Sequence, residues 1–160
     1  MAGGISREIT VRSDTASLAQ VRAAVIEVAG LGMFSPVKAG LLALAVDEAV
    51  TNVIEHAYRR KLGPEVCRKI TIGLTANASR FEARIGYRGV LFDPRTAPEI
   101  NLRKHLCDGR RGGLGIFLMR HIMDEINYFH KSGMHNELRM IKYIDARAAL
   151  TKSKVRRKGG

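Results

Sequence analysis

Apolar positions recur along this chain in two periods, and the change of period falls near residue 68. Glu8–Val11 with its neighbours alternates as a short strand, and Asp14 or Thr15 then offers a cap for a helix over Ser17–Ala29. Gly30 and Gly32 are expected to end it. Ser35 is placed as N-cap and Pro36 as first-turn residue of a long helix carrying the run Leu41–Tyr58. Arg59, Arg60 and Lys61 close that helix favourably before Gly63-Pro64. Beyond it, Arg68–Leu74 and Arg80–Ile85 alternate around Asn77-Ala78-Ser79, which predicts an antiparallel hairpin.

From Gly86 to Gly113 the pattern is irregular, broken by a short helix near Pro98–Leu102. A loop of that length inside a domain is more often a binding loop or lid than filler. Periodicity returns in a helix over Leu114–Met123, then in two strands, Glu125–Phe129 and Glu137–Tyr143, turned at Lys131-Ser132-Gly133. The simplest assembly is an α/β two-layer sandwich, with helices on one face of a mixed, mostly antiparallel sheet. It spans 1–150, with a lid at about 95–113 and a basic disordered tail at 151–160.

Composition adds limits. The chain has 160 residues, 46% of them apolar, which is enough for one domain with a core. Its two cysteines, Cys67 and Cys107, have neither zinc spacing nor a disulfide framework and read as a strand residue and a loop thiol. No apolar run reaches membrane-spanning length and the N-terminus lacks a signal-peptide pattern, so a cytoplasmic protein with no membrane partner is expected. The net charge of +12 would ordinarily point to nucleic acid, but five of the basic groups lie in the last ten residues. Arg103, Lys104, Arg110 and Arg111 bracket a glycine-rich segment where nucleotide phosphates would be reason enough for them. Nucleic acid is therefore not expected as the main partner.

Two segments carry candidate chemistry. The long helix holds Asp47, Glu48, Asn52, Glu55 and His56 among Leu, Ala, Val and Ile. Glu48 and Asn52 are four apart and share a face, so they form a buried polar pair, lie on the wet face, or point into a cleft as a base beside a metal or phosphate ligand. In the second segment, Gly112, Gly113, Leu114 and Gly115 pass directly into a helix, leaving amides and a helix dipole open to an anion. A flexible loop capped by a helix is the plainer alternative. It is neither a Walker loop nor a dinucleotide fingerprint. His56 reads as a packed or capping residue, having no His or Cys partner at metal-ligand spacing.

Asp47-Glu48-Ala49-Val50-Thr51-Asn52 with His56-Ala57, then Gly89 with Phe92-Asp93-Pro94, then Gly112–Gly115 and Asn136-Glu137-Leu138, resemble the histidine-kinase-like ATPase domain of bacterial anti-sigma factor serine/threonine kinases. The resemblance covers nearly everything from Ile5 to Ile144. It implies a site for ATP and Mg2+ between helices and lid, phosphorylation of a serine on an anti-sigma factor antagonist protein, and sequestration of a sigma factor. It also implies Glu48 as general base, Asn52 as magnesium ligand, Gly113 and Gly115 as phosphate-loop glycines, and Gly89 beneath the nucleotide base. Arg110 and Arg111 would add charge around the phosphoryl group. A homodimer is kept as a further assembly, and a sensor histidine kinase is not expected, for no dimerisation helices precede the domain.

One position departs from that pattern. The family has Asp two residues before Gly89, accepting a hydrogen bond from the adenine amino group, and this chain has Tyr87. A tyrosine can stack or hydrogen-bond but carries no charge near neutrality. The alternative reading is thus a noncatalytic regulatory module of the same fold, with weak or lost nucleotide binding.

Overall fold

The start of the long helix follows from two adjacent residues: Ser35 Oγ accepts from the Lys38 amide at 3.3 Å, and Pro36 occupies the first turn, where its missing N–H costs nothing. This helix, α2, spans Pro36–Asn52. The computed structural model describes residues 3–57, 68–90, 100–109, 114–131 and 135–144. Before α2, Asp14 caps a 3-10 turn at Thr15–Ser17 that leads into α1, Leu18–Leu31. Gly30 lies inside α1 rather than ending it, and Gly32 is the cap. A methyl group on Gly32 would collide with Ala76 Cβ, so close approach to the sheet requires this glycine. The reversal into α2 falls instead on Met33, at φ 69°.

Among the described residues five strands form the sheet: β1 Ile5–Arg12, β2 Lys69–Ala76, β3 Arg80–Arg88, β4 Glu125–Lys131 and β5 His135–Tyr143, in the order β1-β2-β3-β5-β4. These four pairings are all antiparallel. The β2–β3 hairpin closes through Asn77, whose side-chain oxygen accepts from the amides of Ser79 (2.9 Å) and Arg80 (3.0 Å). Gly86–Arg88 belongs to β3 and not to the irregular segment, because it pairs with Thr71 and Ile70 on one side and with β5 on the other. Likewise the short helix, α3, runs over Leu102–Cys107, beginning at the last residue of the expected Pro98–Leu102, whose first two residues lie outside the described ones; Asn101 caps it by accepting from the Lys104 amide at 3.1 Å. Cys107 is therefore the exposed last residue of a helix, not a loop thiol. A further helix, α4, is Leu114–Ile122.

Alternation sets the two faces. Ile70, Ile72 and Leu74 of β2, Phe81, Ala83, Ile85 and Tyr87 of β3, and Leu138 and Met140 of β5 are buried with Val21, Val25 and Val28 of α1, Leu42, Val46 and Val50 of α2, and Met119 of α4. The molecule is an α/β two-layer sandwich whose helices cover one face of the sheet. The opposite face is polar. There Glu82 is only 2% exposed and is held by Arg84 (2.6 Å), Arg139 (2.9 Å) and Arg80 (3.3 Å). Burial alone would raise the Glu82 pKa, but hydrogen bonds from Arg139 and Arg84 outweigh it and the carboxyl lies below its ordinary value. Arg7 on β1 pairs with Glu27 on α1, which ties the sheet edge to the helix layer.

Among the described residues no helix is long and apolar enough to cross a membrane. Several expectations lie outside the described residues: Arg59–Lys61, Gly63-Pro64, Cys67, Phe92-Asp93-Pro94, Ser132-Gly133, the parts of the lid at 95–99 and 110–113, and the tail at 151–160.

Candidate phosphoryl-transfer site

α2 presents two different halves along one stripe. Val37, Leu41 and Leu44, spaced three and four apart, are exposed, and the same stripe continues into Glu48 and Asn52, which are half-buried. The difference is α4. Its first turn crosses α2 at Glu48, so closely that a methyl group on Gly115 would overlap Glu48 Oε2 and lie 3.2 Å from Cδ. One turn further along, Asn52 Nδ2 reaches Met119 Sδ at 4.0 Å, a weak contact that brings the amide up to α4. The two residues paired by the sequence are thus both turned toward α4, 67 residues away in the Asn52 to Met119 contact.

Asp47, the neighbour of Glu48, is drawn to the other side by Arg22 of α1 at 3.0 Å. Among the described residues Glu48 has no such ion-pair partner. Burial, then the negative charges of Asp47 and Glu55, raise its pKa above the ordinary carboxylate value of 4.5. A carboxylate destabilised in this way is a stronger base toward a nearby hydroxyl than an exposed glutamate.

Asn52 ends the regular part of α2, and the next residues, Val53–Ala57, form a π turn. Such turns widen the backbone and free carbonyls to face sideways. Here Ala57 O accepts from the Val90 amide at 3.0 Å, just after β3. Gly89 lies flat on this turn: a Cβ there would stand 2.6 Å from Ala57 O. The glycine is required by that close approach. Tyr87, two residues earlier, is 4% exposed within the core, with Ile70 and Asn136 as its cross-strand neighbours.

Glu48, Asn52, Leu114 and Gly115 therefore come together at the α2–α4 crossing, while Tyr87 and Gly89 lie together at the end of β3 beside the π turn. Arg110, Arg111, Gly112 and Gly113 fall outside the described residues. His56 is exposed in the π turn, and among the described residues no group of three or more His, Cys, Asp or Glu could hold a metal. Asn136, which has no role in the sequence analysis, joins this end of the site: it is 3% exposed and its Nδ2 donates to Gly89 O at 3.2 Å. Its signal was an amide on the core-facing register of a strand, in step with Leu138 and Met140.

Over 105 residues the chain is 32% identical to the serine-protein kinase RsbW of Bacillus cereus (strain ATCC 10987 / NRS 248) and 34% identical to that of Bacillus thuringiensis (strain Al Hakam). The RsbW of Bacillus mycoides (strain KBAB4) is 31% identical over the same length. Each alignment takes in 63% of this chain and 61% of the relative, so the chain spans about three-fifths of the curated relatives it matches. The family model described as the histidine kinase-like ATPase domain matches residues 11–142, and the chain belongs to that family.

Proposed function

We propose that this chain is an ATP-dependent protein serine/threonine kinase and anti-sigma regulatory factor, acting in a cytoplasmic bacterial partner switch. The observation that carries the reading is the packing of Gly115 on Glu48, with Asn52 one turn beyond. A half-buried carboxylate with a raised pKa sits against Gly115 in the first turn of α4, a helix start that would favour phosphate. The relatives' designation as serine-protein kinases points the same way.

The donor set fits magnesium held jointly by protein and phosphate. Among the described residues no all-protein metal cluster exists, whereas magnesium in phosphoryl-transfer sites commonly takes one or two protein oxygens and fills its octahedron with phosphates and water. Asn52 Oδ1 would be that protein oxygen. Bound ATP with Mg2+ would supply the transferable phosphoryl group and neutralise its charge. Glu48 takes the proton of the acceptor serine hydroxyl as its oxygen bonds to phosphorus and the bond to the ADP oxygen breaks. Gly115, having no side chain, leaves the Glu48 carboxylate in place. The acceptor is an anti-sigma factor antagonist protein, and a sigma factor is the sequestered partner.

The second reading, a noncatalytic regulatory module, draws on Tyr87. Its burial in the core means that the position carrying an adenine-binding Asp in the resemblance is filled by an uncharged ring. Calorimetric titration with ATP and Mg2+, repeated with GTP, decides between them. Binding of ATP, with transfer from labelled ATP to a serine of an antagonist protein from the same organism, is the expected result. No heat with either nucleotide overturns the kinase reading in favour of the regulatory module.

A further inference from the structure

Asn136 sits where three separate constraints meet. Its Nδ2 donates to Gly89 O at 3.2 Å, and its Oδ1 lies 2.7 Å from His130 Nδ1. The orientation is fixed by chemistry: a carbonyl oxygen only accepts, so the amide nitrogen must face Gly89, and the amide oxygen must face His130. His130 Nδ1 is therefore the donor. On its other flank the Gly89-Val90 turn is pinned by the Val90 amide donating to Ala57 O at 3.0 Å, and by the contact of Gly89 itself on Ala57.

The result is a clamp. His130 on β4 orients Asn136 on β5; Asn136 holds the carbonyl of the turn after β3; that turn rests on the π end of α2, five residues beyond Asn52. A buried amide is costly unless satisfied, and here its bonds to Gly89 O and His130 hold the turn at the Gly89 end of the candidate site.

We propose that Asn136 is a positioning residue for the base-binding end of the site: it sets where the Gly89 turn stands relative to Glu48 and Asn52, with His130 holding its amide in register. The proposal rests on the nucleotide-binding reading above and adds a residue and a relay to it. It implies a specific asymmetry. Loosening the clamp should weaken ligands that span both ends, and leave those that occupy only the phosphate end.

The experiment uses the full chain and two probes, ATP and tripolyphosphate, each with Mg2+, titrated calorimetrically against wild type, Asn136→Leu, His130→Ala and His130→Asn. Asn136→Leu should weaken ATP about tenfold and tripolyphosphate less than about twofold, the loss of the hydrogen bonds to Gly89 O and His130 being felt at the turn alone. His130→Ala should weaken ATP about threefold, and His130→Asn, whose amide nitrogen stands where Nδ1 stood, should restore it. Should Asn136→Leu not fold, the exposed His130 pair is judged by the same asymmetry. Equal losses for ATP and tripolyphosphate, or unchanged ATP affinity in the folded variants, overturn the proposal while leaving nucleotide binding intact. Wild type that binds neither probe overturns the functional reading and this inference together.

Discussion

Replacing Gly115 by alanine perturbs the site by one methyl group at its tightest point. That methyl would overlap Glu48 Oε2, and the carboxylate must retreat by about 1 Å to reach ordinary contact. Stability should change little. Alanine gains up to about 1 kcal/mol over glycine inside a helix, and the overlap with a flexible side chain costs about 1–2 kcal/mol. The balance, within about 1 kcal/mol, corresponds to a melting shift of about 2–4 °C for a chain of this size. Chemistry should change far more, because a base displaced by about 1 Å loses on the order of 100-fold in rate, or about 2.7 kcal/mol of barrier. The assay is single-turnover transfer from labelled ATP to an antagonist protein of the same organism, beside a thermal melt and an ATP titration. The double variant with Glu48→Gln should be no slower than Glu48→Gln alone, since both act on one carboxylate. A folded Gly115→Ala protein with transfer within about threefold of wild type would refute the argument.

Glu48→Gln should nearly abolish transfer with nucleotide affinity retained, and should also stabilise the protein above its acid range. The folded state binds the Glu48 proton more tightly than the unfolded one, so wild type loses stability as pH rises from 4.5 through the raised pKa. Melting curves from pH 4 to 8 should show the advantage of the variant appear across that window; a constant difference refutes it. Glu82 has the opposite sign: its lowered pKa gives stability present above 4.5 and lost as pH falls through the folded value. Glu82→Gln should cost about 2 kcal/mol at neutral pH, and at acid pH the difference should shrink. Tyr87→Asp removes a core ring and buries a carboxylate, so the ligand-free protein should lose about 3 kcal/mol or more. If the new carboxylate meets adenine, saturating ATP should raise the melting temperature more than it does for wild type; an equal or smaller rise shows a rebuilt pocket.

Local pattern made much of this protein legible from its sequence. The Ser35-Pro36 cap, the alternation of β2 and β3, the Asn77 turn and the i, i+4 placement of Glu48 and Asn52 all depend on residues within a few positions of one another. Only the tertiary structure decided which of these features meet. Neighbours in sequence could not tell that Gly115 lies against Glu48, that β5 enters between β3 and β4, or that Asn136 reaches Gly89 across 47 residues. Nor could alternation separate a buried Glu82 from an exposed one, because its burial comes from arginines on two strands, one of them 57 residues away. Tyr87 is the same case: the sequence marked the substitution, and packing against β2 and β5 made it a core residue. Periodicity fixes the face a side chain takes; what waits on that face is set by chain segments that only folding brings near.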